Sequence, residues 1–115
     1  MDHPNIVKFN DIKETDKHIF IEMELVRGGS LKDLMQERKH FNDEDAATVM
    51  RCLLAAVGHV HSKDYVHRDL KPDNILIDKC SDLNTVKLAD FGLSAAFRLN
   101  PIQNDLSGKI GTLLY

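Results

Sequence analysis

The stretch Tyr65-Val66-His67-Arg68-Asp69-Leu70-Lys71-Pro72-Asp73-Asn74 decides how this sequence is read. It is a polar loop in which an aspartate, a lysine and an asparagine stand two and three residues apart. Pro72 stiffens the turn. Two short apolar runs follow, Ile75-Leu76-Ile77 and Val86-Lys87-Leu88-Ala89. They predict strands, with residues 78–85 as the connection of a hairpin. Asp90-Phe91-Gly92 comes directly after the second run, with Asp90 sixteen residues beyond Asn74.

Upstream of the loop the pattern is helical. Asn42 is placed to cap a helix, and Asp43, Glu44 and Asp45 put negative charge on its positive end. Ala46, Val49, Met50, Leu53, Val57 and Val60 recur at three- and four-residue steps and predict one apolar stripe, ending at Ser62-Lys63-Asp64. Gly58 interrupts this helix at a cost of about 1 kcal/mol relative to alanine, which predicts close packing there. Ser30, with Asp33 three residues on, forms a capping box for a shorter helix to Arg38. Before it, Ile6–Phe9 and His18–Val26 predict two strands, the second buried, with residues 11–17 as a turn. Gly28-Gly29 lets the chain turn after them.

The loop has the parts that phosphoryl transfer needs. A carboxylate must orient the attacking hydroxyl, a cation must sit near the moving group, and an oxygen ligand must hold magnesium. Asp69, Lys71 and Asn74 supply these in that order, and Asp90 is placed as a second magnesium ligand.

With these residues the sequence resembles the eukaryotic protein kinases. His67–Asn74 is similar to the family's catalytic loop and Asp90-Phe91-Gly92 to its metal-binding triplet. Together, in this order, they are far more specific than either alone. The resemblance implies an α+β fold that is a partial protein kinase domain. Residues 1–22 would be the last strands of the N-lobe, 23–29 the hinge, and 30–115 the start of the mainly helical C-lobe through the activation segment. His3-Pro4-Asn5-Ile6-Val7 resembles the entry to the family's fourth strand. The resemblance further implies that Met23 is the gatekeeper. The Glu24 carbonyl and Val26 amide would bind the adenine edge, Leu76 and Ala89 would lie against the ring, and Asp33 would reach the ribose. ATP and Mg2+ are the implied cofactors, and protein serines and threonines the substrates.

Lys71 follows the serine/threonine pattern, and Gly111-Thr112-x-x-Tyr115 resembles the end of an activation segment of that class. Thr112 would brace Asp69 and Lys71. Arg68 is the implied docking point for a phosphate, with Ser107 as the local candidate. The run Asp90–Ala95 and the acidic start of the long helix resemble the calcium/calmodulin-dependent group. His67 is expected to be a buried structural histidine. His59 and His61 lack a zinc set.

The resemblance also implies elements before His3, namely a glycine-rich loop and a lysine–glutamate pair, and others after Tyr115. The 115 residues are therefore read as a fragment, inactive in isolation. The alternative is a non-catalytic regulatory or binding module derived from a kinase lobe. A small-molecule kinase fits less well, because Arg68 and Lys71 depart from that pattern. A net charge of −3 gives no basic field for nucleic acid. No apolar run reaches the ~20 residues of a membrane span. Cys52 and Cys80 form no C-x-x-C pair, which predicts reduced thiols and a cytoplasmic or nuclear setting. Oligomeric state is left open.

Overall fold

The computed structural model describes residues 2–90 and the backbone of residues 95–96. Strands β1 (Phe9–Glu14) and β2 (Ile19–Met23) form an antiparallel hairpin. Helices α1 (Leu31–Arg38) and α2 (Asp43–Ser62) follow. Then come β3 (Tyr65–Val66), β4 (Ile75–Ile77), β5 (Val86–Leu88) and β6 (Ala95–Ala96). β4 pairs with β5 and β3 with β6, both antiparallel. The chain has the α+β architecture of a partial protein kinase fold.

Both helices begin where their caps dictate. The Ser30 hydroxyl accepts the Asp33 N–H at 3.1 Å, and the Asp33 carboxylate accepts the Ser30 N–H at 3.3 Å, completing the capping box. Asn42 Oδ1 accepts the Asp45 N–H at 2.8 Å. Each such cap stabilises its helix by about 1 kcal/mol.

The core lies where α2 crosses the β4–β5 hairpin. Val49, Cys52, Ala56 and Val60 of α2 are buried with Ile75, Ile77, Val86 and Leu88, and Leu31 and Leu34 of α1 join them. The buried stripe is rotated from the predicted one. Cys52 and Ala56 are central, Leu53 and Val57 are half-buried, and Ala46 and Met50 face water. Small side chains let the helix approach the strands closely, so Cys52 and Ala56 take the innermost line in place of bulkier neighbours.

Two further expectations are corrected. β2 is not buried: Ile19, Phe20, Ile21 and Met23 are all more than half exposed, as are Phe9 and Ile12 of β1. Among the described residues the hairpin is a two-stranded sheet with no layer on either face. β1 also starts later than predicted and takes in Asp11–Glu14, read as turn. Asn5, Ile6 and Val7 are instead drawn to β5. Leu88 N–H donates to Asn5 O at 2.8 Å and Val7 N–H to Leu88 O at 3.0 Å. Buried Asn5 adds side-chain bonds to the carbonyls of Val86 and Asn84 at 2.8 and 3.1 Å.

Gly28 is required by contact. Its N–H donates to Ile77 O at 2.7 Å, and a Cβ there would run into that same oxygen. Ile77 N–H in turn donates to Gly29 O at 2.8 Å, with Gly29 at φ 82°. This pair fastens the segment after β2 to β4. Gly58, by contrast, has open space around its Cα, so the close packing predicted there is absent. The two glycines should therefore respond oppositely. Gly58→Ala should raise stability by about 0.5–1 kcal/mol, and Gly28→Ala should lower it by about 1–3 kcal/mol. Urea midpoints of the two variants check both signs.

Candidate active site

The loop between β3 and β4 is organised by His67, which is 3% exposed. Its Nδ1 accepts the Asp69 N–H at 3.2 Å, so the ring proton sits on Nε2. Nε2 then donates to the Ala89 carbonyl at 2.7 Å. The histidine thus joins the loop to the end of β5, and the expectation of a buried structural residue holds.

A short 3-10 turn, Pro72–Asn74, delivers the asparagine. The buried Asn74 amide donates to the Asp69 carbonyl and to Asp69 Oδ2, both at 2.9 Å. The Lys71 ammonium lies 3.5 Å from the same Oδ2, and both side chains are largely withdrawn from water. One carboxylate oxygen is therefore shared by an amide and an ammonium. That fixes the carboxylate's direction and keeps a cation beside it. The Asn74 carbonyl accepts the Ala89 N–H at 2.8 Å, which seats Asp90 next to this group along the chain. Arg68 and Asp90 both adopt positive φ, 70° and 55°. Such backbone is costly for non-glycine residues and concentrates at functional sites. Nothing in the sequence signalled it.

The donor set suits a hard cation. Asn74 and Asp90 offer oxygen atoms, and magnesium takes only one or two protein ligands beside phosphate and water. Among the described residues no group of three or more His, Cys, Asp or Glu could hold a metal by itself.

The remaining predicted positions run from the end of β2 into α1, and lie on β4 and just after β5. Met23 ends β2 opposite Phe9 and is exposed, Val26 is half-buried, and Leu76 sits opposite Lys87 and bridges to Ser30. The Asp33 carboxylate is engaged in the capping box. Half-buried Ala89 uses both main-chain polar groups on the loop. Phe91, Gly92, Ser107, Gly111, Thr112 and Tyr115 lie outside the described residues.

Glu24 carries a side-chain role that the sequence did not suggest. Its Oε1 accepts the Lys8 N–H at 2.9 Å and the Lys87 ammonium at 3.0 Å. Burial pushes this carboxyl up, but those two hydrogen bonds and the charges of Lys87 and Lys8 together hold it below the usual glutamate range.

Comparison with known proteins agrees with the motifs. The protein kinase domain family matches residues 1–115. The probable serine/threonine-protein kinase pXi of Dictyostelium discoideum is 39% identical over all of this chain and 16% of its own length. A probable myosin light chain kinase of the same organism is 43% identical over 84% of this chain and 30% of its own. The serine/threonine-protein kinase DCLK3 of Homo sapiens is 46% identical over 82% of this chain and 15% of its own. The chain thus spans less than a third of the length of these relatives.

Two stability effects follow. His67→Phe removes a buried donor and acceptor and leaves the Ala89 carbonyl and Asp69 N–H without them, so it should cost about 2–4 kcal/mol in a denaturant titration. Glu24 has a lowered folded-state pKa, so its contribution is present above the unfolded value and lost as pH falls through the folded one. Acid titration of stability should be shallower in Glu24→Gln over that window.

Proposed function

The chain belongs to the protein kinase family, and from that premise we propose that it carries the catalytic segment of a serine/threonine protein kinase. The reading rests above all on Asp69, whose Oδ2 is held by the Asn74 amide at 2.9 Å and faces the Lys71 ammonium at 3.5 Å. A carboxylate fixed in this way can align a substrate hydroxyl and take its proton as the bond to phosphorus forms. Lys71 then lies where negative charge gathers on the transferring phosphoryl group. With the amide nitrogen of Asn74 directed to Asp69, its side-chain oxygen would be the atom that holds a cation.

Asn74 and Asp90 would hold magnesium, which when bound neutralises phosphate charge. Asp90 reaches that place because Ala89 is tied to the loop on both sides. The main chain of residues 24–26 would take the adenine edge, with Met23 as gatekeeper and Leu76 and Ala89 beside the ring. Asp33, whose Oδ2 accepts the Ser30 N–H, would approach the ribose with its other carboxylate oxygen. Residues 1–22, 23–29 and 30–115 would be the end of the N-lobe, the hinge and the start of the C-lobe. Serine and threonine specificity is supported by Lys71 two residues after Asp69 and by the likeness to serine/threonine-protein kinases.

The test is made in the native full-length protein. Asp69→Ala and Asp90→Ala should each lower phosphate transfer from MgATP to a serine peptide by about a thousandfold or more. Asp69→Ala should leave MgATP affinity nearly unchanged, because that carboxylate addresses the acceptor. Turnover retained in either variant sinks the assignment.

A further inference from the structure

Glu24 and Lys87 form a link that the catalytic roles above do not use. The Glu24 N–H donates to the Lys8 carbonyl at 2.9 Å, and the Lys8 N–H returns to Glu24 Oε1 at 2.9 Å. The Lys87 ammonium closes on the same oxygen at 3.0 Å. These two residues lie 63 positions apart, on the segment after β2 and on β5. The pair is withdrawn from water, with Lys87 at 18% and Glu24 at 29% side-chain exposure. The Lys32–Asp73 and Arg38–Asp45 pairs are longer and more exposed. Ion pairs of that exposed kind contribute little, whereas a part-buried pair with a shared main-chain donor resists rearrangement.

The position of Lys87 gives the link its meaning. Its main chain lies opposite Leu76 in the β4–β5 ladder, and Asp90 follows three residues on. Glu24 belongs to the segment whose main chain is assigned to the adenine edge. One ion pair therefore spans from the adenine end of the site to the strand that delivers the cation ligand. It also keeps the Glu24 side chain folded back toward β5. The lowered pKa of Glu24 agrees with a carboxylate that stays charged in this setting.

We propose that Lys87 is a positioning residue for nucleotide binding, acting through the Glu24 carboxylate to lock residues 23–29 against β5. The proposal rests on the kinase reading above, because it needs those residues to face the nucleotide. Without the ammonium, a half-buried carboxylate loses its cation and the segment gains freedom. Nucleotide binding must then order that segment, and affinity falls. The acceptor hydroxyl and Asp69 are not involved, so the chemical step is spared.

The experiment uses the native full-length protein and its Lys87→Met, Lys87→Arg, Glu24→Gln and Glu24→Gln/Lys87→Met variants. Equilibrium Kd for MgATP is measured first, then kcat and KM with a serine peptide, with thermal unfolding as a control. Lys87→Met should raise Kd and KM for ATP about fivefold or more, with kcat within about twofold. Lys87→Arg should restore most of the affinity, and the double variant should be no weaker than Lys87→Met alone. A Kd for Lys87→Met within twofold of wild type overturns the proposal. So does Lys87→Arg as weak as Lys87→Met, or a fall in kcat at unchanged KM. Wild-type protein that binds MgATP without transferring phosphate sinks the kinase reading, while the Kd series still decides this one. Wild-type protein that binds no MgATP overturns both.

Discussion

The main chain of Ala89 is held from two sides by the loop that precedes β4. Its N–H donates to the Asn74 carbonyl and its carbonyl accepts from His67 Nε2. Each bond adds only about 1 kcal/mol net, yet breaking one leaves a buried polar group without a partner and costs more. Everything the site needs depends on this clamp. It fixes His67, which takes the Asp69 N–H, and Asn74, which takes the Asp69 carboxylate. It also sets the place where Asp90 leaves β5. Arg68 and Asp90, two of the four non-glycine residues with positive φ among the described residues, flank the clamped region. Backbone of that kind persists where neighbouring contacts over-determine it.

The clamp in turn needs a rigid floor. β4 and β5 supply Ile75, Ile77, Val86 and Leu88, all buried under α2. Asn5 closes one end of this floor through the main chain of Val86 and Leu88. Gly28 and Gly29 close another by exchanging hydrogen bonds with Ile77. Three distant parts of the sequence therefore meet on a six-residue ladder. The site inherits its precision from strands rather than from loop stiffness.

Much of this was legible in the sequence where the signal is local. Ser30, Asp33 and Asn42 predicted caps, and the caps are present, because a cap uses donors three residues away. The strands 75–77 and 86–88 were readable from short apolar runs. His67–Asn74 was readable as a chemical set because spacing along the loop brings its members together. Long-range choices were not legible. The strength of residues 19–23 as a β former said nothing of burial, which depends on what packs above it. Ile6 and Val7 were drawn from β1 by bonds to a strand some eighty residues later. The small residues Cys52 and Ala56 rotated the buried stripe of α2, a packing effect that apolar periodicity does not weigh. The Glu24–Lys87 pair escaped for the same reason: neither residue carries a mark of its partner.

Transfer of phosphate by the clamped loop to hydroxyls of serine or threonine, as proposed, is open to a direct test. The most direct measurement supplies the native full-length protein with ATP labelled at the γ-phosphate and a mixture of serine, threonine and tyrosine peptides in magnesium buffer. Phosphoamino acid analysis then reads where the label goes. Label is expected on serine and threonine, and none when magnesium is chelated. Saturable MgATP binding with no label on any peptide would contradict it, and would leave a nucleotide-binding module without catalysis.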